Sequence, residues 1–411
     1  MKTQPERVAP QDPATSSLLL GALVFFQMLP ATLLVPSARP LFAELYRADD
    51  GYIHAFMSLN MVGGFLAAPL IGWATDRKGY RFPAFIALGA LDAIIQLLLP
   101  IGLPLPVLLA LRTFQGAAHV GSATLLMTCA ASTARRTGNA KVMGIAGSCL
   151  MLAVAFGSSL GGLLLKIGLS APFVAGAVFA LLAAGLGSFL PKEWWAQNRR
   201  TGVSLEVMRR EPALWVPLAS AFVGRFTVGC LVVSFALYAH RAFGLSDARI
   251  GLLYSLLTLP FALLMYPAAR LGDRLPRMTV LLVGGAVYAF GLAALGQVGP
   301  GALPGVMVLI GSSGALVFAS TLCMAANEAS PERRGTAMAL VNAAGCLGML
   351  LGPVVAGILN AILRTRGWDS VAAYRVVFSV AALSVLLWLV PVAFWAKHRS
   401  RNASNLEFER T

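Results

Sequence analysis

Apolar residues fall along this chain in long blocks, each closed by a short polar or charged turn. Twelve blocks stand out, at residues 18–38, 53–74, 82–100, 104–129, 142–165, 170–190, 213–240, 247–270, 279–298, 302–327, 335–363 and 371–396. A helix needs about 20 apolar residues to cross the hydrocarbon core of a bilayer. Unpaired backbone groups are too costly in lipid for anything but helices or closed barrels, and these blocks are far longer than barrel strands. The pattern predicts an all-α membrane protein with twelve transmembrane helices.

The turns between blocks repeat. Gly72-Trp-Ala-Thr-Asp76-Arg77-Lys78-Gly79-Tyr80-Arg81 closes the second block, and Arg270-Leu-Gly-Asp273-Arg274-Leu-Pro276-Arg277 closes the eighth, about 197 positions later. At nearly the same offset, Arg135-Arg136-Thr-Gly138 matches Arg333-Arg334-Gly335. Gly157-Ser-Ser-Leu-Gly161-Gly162 likewise matches Gly352-Pro353-Val-Val-Ala-Gly357. Duplication of this kind predicts two pseudo-symmetric six-helix bundles, 18–190 and 212–396. A linker at 191–211 joins them, with a disordered tail at 1–17 and a basic tail at 397–411. Repeated helical units that rock around a central site are the architecture of alternating-access transport.

Composition agrees: 58% of residues are hydrophobic and 12% charged, against about 25% charged in soluble domains. The net charge of +15 would suit a nucleic-acid partner, but its placement excludes that reading. The basic groups fall on alternate turns, as Arg77, Lys78 and Arg81, then Arg135 and Arg136, then Lys192, Arg199 and Arg200. Arg270, Arg274, Arg333, Arg334 and the final tail continue the series, with Arg364 and Arg366 as the exception. Positive charge collects on the cytoplasmic side, so both termini are expected there. Trp194 and Trp195 in the linker are expected to anchor in the headgroup layer. Five cysteines lie in or at the ends of blocks, with neither metal-site nor disulfide spacing. No metal, nucleophile motif or phosphate loop is in view, so neither an enzyme nor a cofactor is expected.

Few polar residues sit deep inside blocks. Asp92 and Arg112 each lie about ten residues from the turn near Gly102, roughly 15 Å along a helix. Either charge alone would be expensive in lipid, so a salt bridge or a shared polar network is expected between them. Arg112, Gln115, His119 and Ser122 share one helical face. His119 reads as a proton carrier or as a packing histidine, and Asp92 as a protonation site or a permanently ionised structural carboxylate. Arg225 is central in the seventh block without an acidic residue at its depth. It reads as a contact for a carboxylate or phosphate, or as a structural residue bonded to carbonyls. Thr227, Ser234 and Tyr238 share a face nearly opposite Arg225, so a straight helix cannot turn both toward one cavity. Gln27 in the first block and a stripe with Ser313 and Ser320 in the tenth are cavity-lining candidates or helix–helix glue.

These residues resemble the major facilitator superfamily over nearly the whole chain. Gly72 to Arg81 matches its signature between spans 2 and 3, and Leu111-Arg112-Thr-Phe-Gln115-Gly116 its span 4 pattern. Pro331-Glu-Arg-Arg-Gly335 with Gly352-Pro353 and Gly357 is similar to twelve-span multidrug/proton antiporters. The resemblance implies the major facilitator fold, with spans 1, 4, 7 and 10 around a central cavity in a bacterial inner (plasma) membrane. It implies that Asp76, beside Gly72, latches onto the start of span 11, with Arg77 and Arg81 completing a gate and Asp273 with Arg274 as its second copy. Substrate would meet Arg225, Arg112, Gln27, Gln115, His119, Ser313, Ser320 and Tyr238, and Asp92 would carry the proton. Ser158 stands where the antiporters have proline, and Gln27 where many have a carboxylate. The implied function is monomeric, proton-coupled export of a small amphipathic, optionally anionic organic molecule by rocker-switch alternating access. An organic-anion importer or exchanger, or a non-transporting receptor or scaffold, are the alternatives.

Overall fold

A computed structural model describes residues 13–78, 80–137, 141–195, 211–328 and 334–408. The long helices are α1 (Pro13–Pro40), α2 (Asp50–Lys78), α3 (Arg81–Leu98), α4 (Leu105–Thr137), α5 (Lys141–Leu164) and α6 (Ala171–Leu186). They continue as α7 (Trp215–Phe243), α8 (Asp247–Arg274), α9 (Arg277–Leu295), α10 (Leu303–Glu328), α11 (Arg334–Thr365) and α12 (Ser370–Phe408). No strand occurs among the described residues. Among the described residues, ten helices are long and apolar enough to cross a bilayer. In α4 the polar residues Arg112, Gln115 and His119 lower the mean hydropathy.

Two boundaries differ from the sequence reading. Residues 13–17, expected in a disordered tail, open α1, where Pro13 takes the first helical position that its missing N–H suits. Helix α12 runs to Phe408, through residues expected to form a tail, because no glycine or proline interrupts the chain after Pro391.

Packing repeats every six helices. Helix α1 lies on α5 and α6, α2 on α4, and α3 on α4 and α6. Helix α7 lies on α11 and α12, α8 on α10, and α9 on α10 and α12. The two sets meet through α5 with α8 and through α2 with α11. Glycines allow the backbones to touch. A Cβ on Gly161 would strike the Leu33 carbonyl within the first set, whereas one on Gly162 would come 2.8 Å from the Asp247 carbonyl of α8.

The hydrophobic core joins the sets unevenly. At the end away from the termini, here the hairpin end, Leu34, Phe42, Ile53 and Phe56 share one cluster with Phe235, Tyr254, Tyr374 and Phe378. Toward the terminal end, Leu20, Phe85, Leu125 and Trp195 form a cluster of the first set alone. Val216, Leu281, Met324 and Val392 form another within the second set. The linker opens with a one-turn helix, Lys192–Trp195. Trp195 does not lie free in the headgroup layer as expected: it is 7% exposed, with its ring 5.4 Å from Phe82 and 5.2 Å from Phe85. Cys129 donates to the Trp194 carbonyl at 3.0 Å, which fixes the same turn.

Candidate functional site

Gly116 brings α2 and α4 into backbone contact, since a Cβ there would occupy the Asn60 carbonyl. The close approach sets Asn60 against the polar face of α4. Its Nδ2 donates to Gln115 Oε1 at 2.6 Å, and Arg112 Nη1 donates to the same oxygen at 2.6 Å. Gln115 Nε2 in turn donates to Asp92 Oδ1 at 2.7 Å. The two opposite charges, expected to meet directly or share a network, are therefore joined through one amide. Arg112 also donates to the Phe56 carbonyl at 3.3 Å and lies 4.5 Å from the centre of the Phe56 ring. Every member of this cluster is almost fully buried, Asp92 completely.

His119 closes the network on its other side. Its Nδ1 lies 2.8 Å from Asp92 Oδ2. With Asp92 ionised, the nitrogen beside it carries the hydrogen, an assignment made from the hydrogen-bond pattern. Nε2 is then a base, buried and without a hydrogen-bond partner among the described residues. Ser122 donates to the His119 carbonyl at 2.9 Å, and Gln27 Nε2 from α1 donates to Ser122 Oγ at 2.6 Å. Gln27 lines a small void with Val24, Met28 and Leu150. One polar chain thus runs from α3 and α2 through α4 to α1.

Arg225 stands apart from this chain. The half-buried side chain leaves α7 between α10 and α11, with the guanidinium 5.5 Å from the Phe318 ring centre. Gly345 leaves room for its stem, since a Cβ there would lie 3.1 Å from Arg225 Cγ. Among the described residues it makes no hydrogen bond or ion pair, so the carbonyl-bonded structural arginine is not what is seen.

The other face of α7 packs inward. Thr227 Oγ1 lies 2.9 Å from Tyr288 Oη, and Ser234 is buried. Tyr238, expected beside substrate, is instead fully buried against Phe243 and Phe378, with its hydroxyl 3.3 Å from the Gly296 carbonyl. Its separation from Arg225 follows from their opposite positions on one helix. Ser313 spends its hydroxyl on the Leu309 carbonyl at 2.6 Å, one turn back. Ser320 is buried without a hydrogen-bond partner among the described residues. Arg81 is 2% exposed at the start of α3. The side chains at Gly72, Asp76, Arg77, Asp273 and Arg274 lie outside the described residues, as does linker segment 196–210.

Asn60 was not singled out from the sequence, although it is a lone amide one turn before Gly63-Gly64 in an otherwise apolar stretch. The reciprocal charges at the hairpin end were missed as well.

Apolar helices packed twice over in one pattern, with a charged network buried between them, define an integral membrane transporter. The family model described as Major Facilitator Superfamily matches residues 20–238 and 218–410, and the chain belongs to that family. Its members are transporters, not enzymes. A tetracycline resistance protein, class G, of Vibrio anguillarum is 24% identical over 354 residues, covering 83% of this chain and 89% of that protein. A bacterial homologue of the human lysosomal transporter Spinster, in an inward-facing and unoccupied conformation, superposes with a TM-score of 0.74 at 15% identity. That match covers 95% of this chain and 98% of the other. The human organic anion transporter MFSD10 gives a TM-score of 0.69 at 18% identity, over 93% of this chain and all of that one (100%).

Proposed function

We propose that this chain is a proton-coupled exporter of small organic molecules, acting as a monomer in a bacterial inner membrane by rocker-switch alternating access. In this reading twelve membrane helices form bundles 18–190 and 212–396, joined by 191–211, with both termini cytoplasmic. The joined hairpin end then faces outward, and the separate cores at the terminal end flank an inward-facing cavity. Gly72, Asp76, Arg77 and Arg81, with Asp273 and Arg274, would gate the terminal end. Gln27, Ser313 and Ser320 would line the cavity.

The observation that carries the proposal is the Asp92–His119 pair. Arg112 already balances Asp92, so a proton taken up at His119 Nε2 or on Asp92 gives the buried cluster an uncompensated positive charge. Such a charge is costly at membrane depth. Its cost differs between conformations of different solvation, and that difference is what couples protonation to the switch. The likeness to a tetracycline resistance protein supports export.

Arg225 supports an anionic group on the substrate. A guanidinium without a hydrogen-bond or ion-pair partner among the described residues, flanked by an aromatic ring, offers a carboxylate two parallel hydrogen bonds.

Proteoliposomes with an imposed pH gradient test both points, using tetracycline and simple aromatic carboxylates as probes. Asp92→Asn is expected to keep gradient-free counterflow and lose uphill flux. Arg225→Ala is expected to lose carboxylate flux in both modes. Uphill flux at the wild-type rate in Asp92→Asn refutes the proton assignment, and unchanged carboxylate counterflow in Arg225→Ala refutes the anion assignment.

A further inference from the structure

At the hairpin end, four charged residues cross between the two helix sets in a reciprocal pattern. Arg39 in the last turn of α1 donates to Asp247 in the first turn of α8, through Nε at 2.9 Å and Nη2 at 2.7 Å. Arg241 in the last turn of α7 donates through Nη2 to Asp50, the first residue of α2, at 2.5 Å. Position for position, α1 corresponds to α7 and α2 to α8. The arginine of each set's first hairpin therefore grips the aspartate of the other's, as in an isologous two-fold interface.

Local structure builds both halves of this arrangement. Each aspartate lies at a helix N-terminus and Arg241 at a helix C-terminus, the ends where their charges are favoured, while Arg39 lies just before the π-helical turn Leu41–Tyr46 that prolongs α1. Arg47 at φ 48° and Gly244 at φ 63° turn the chain between the paired positions. The surroundings tighten both grips. Tyr374 of α12 donates to Asp50 at 2.8 Å, and Arg241 Nη1 donates to Ser370. Arg39 Nη1 lies 3.4 Å from His240 Nε2. Beneath the ion pairs, Ser255 of α8 donates to the Ala155 carbonyl of α5, and Ser159 meets Ser255 at 2.7 Å.

We propose that Arg39–Asp247 and Arg241–Asp50 are a twin latch, whose joint release is required before the helix sets can part at the hairpin end. The latch acts through positioning and touches no substrate. Hydrophobic contact alone would hold the end closed without preferring one register. Two reciprocal ion pairs impose a register and give up their hydrogen bonds together, so closure becomes two-state. All four charges lie at the hairpin end beside the turns, so separation exposes them to water rather than stranding any in lipid. That keeps the latch releasable, unlike a charge pair at membrane depth.

Each pair biases the equilibrium toward closure by roughly fivefold, the upper end for surface ion pairs, since Arg39–Asp247 is bidentate and Asp50 holds a second bond from Tyr374 beside that from Arg241. Two separate pairs together give roughly 25-fold. The test is pulsed dipolar electron spin resonance on a background lacking the five native cysteines, with spin labels at Ile167→Cys and Gln297→Cys. Both sites are exposed at the hairpin end, one in each set. The parent is expected to show one short distance. Asp50→Asn/Asp247→Asn, two near-isosteric changes, is expected to move most of the population to longer distances. Arg39→Asp alone is expected to broaden the distribution, and Arg39→Asp/Asp247→Arg to recover the short distance. An unchanged distribution in the double asparagine variant overturns the proposal, as does a charge swap as open as the single reversal. The reading needs neither substrate nor proton gradient, so its failure leaves the Asp92 and Arg225 assignments standing.

Discussion

Gln115→Leu preserves side-chain volume and removes the amide that joins Asn60, Arg112 and Asp92. Three groups lose a partner in one step, and two of them are charged. The neutral bond from Asn60 is worth about 0.6 kcal/mol, the average for interhelical hydrogen bonds in membranes. Bonds to charged groups run about 1.5–3 kcal/mol each, so the gross loss is about 4–7 kcal/mol. Arg112 and Asp92 bonded the same amide, and its removal leaves them free to close on each other, recovering roughly 2 kcal/mol. The net cost is about 2–5 kcal/mol. Reversible unfolding in mixed detergent micelles measures it, with an Asp92→Asn background as control. The cost there is expected to fall by about half, because one charged orphan is gone. A Gln115→Leu protein within about 0.5 kcal/mol of the parent refutes the idea that this amide carries the charge connection, and so does an equal cost in both backgrounds.

Two further outcomes follow from packing. In a cysteine-free background, Ser159→Cys/Ser255→Cys places two thiols where two hydroxyls now touch, so oxidation is expected to join α5 to α8 and stop flux, with recovery on reduction; full flux in the oxidised protein counts against hairpin-end opening. Trp195→Ala removes the ring held against Phe82 and Phe85, at a cost of about 3 kcal/mol for a buried aromatic; faster tryptic cleavage at Arg199, Arg200, Arg209 or Arg210 is the expected signature.

Much of the fold is legible in the sequence, because lipid leaves few options. A block of apolar residues at membrane length has to be a helix, and repeated turns at one offset foretell repeated packing. The connection between Asp92 and Arg112 was legible to the level of a shared network, since equal depth on antiparallel neighbours leaves few partners. The part of Asn60 was not, because that side chain meets Gln115 only where Gly116 admits α2 against α4. Helical-face arithmetic separated Arg225 from Tyr238, yet only coordinates show which of them faces packed aromatics. The latch escaped because its pairs join residues about 200 positions apart, and a lone arginine at a helix end looks like a topology signal. Trp195 misled for a related reason: amphipathic rings beside a membrane edge suit headgroups, but two phenylalanines of the first helix set were nearer.

The neighbouring glycines Gly161 and Gly162 have one further consequence. Bulk at the first would push apart helices that must assemble once, during biogenesis, so the damaged protein should be scarce. Bulk at the second would wedge the seam that the proposed rocker-switch cycle opens and shuts, and the product should be plentiful but idle. A survey scoring cellular abundance alone would notice one of these adjacent positions and pass over the other.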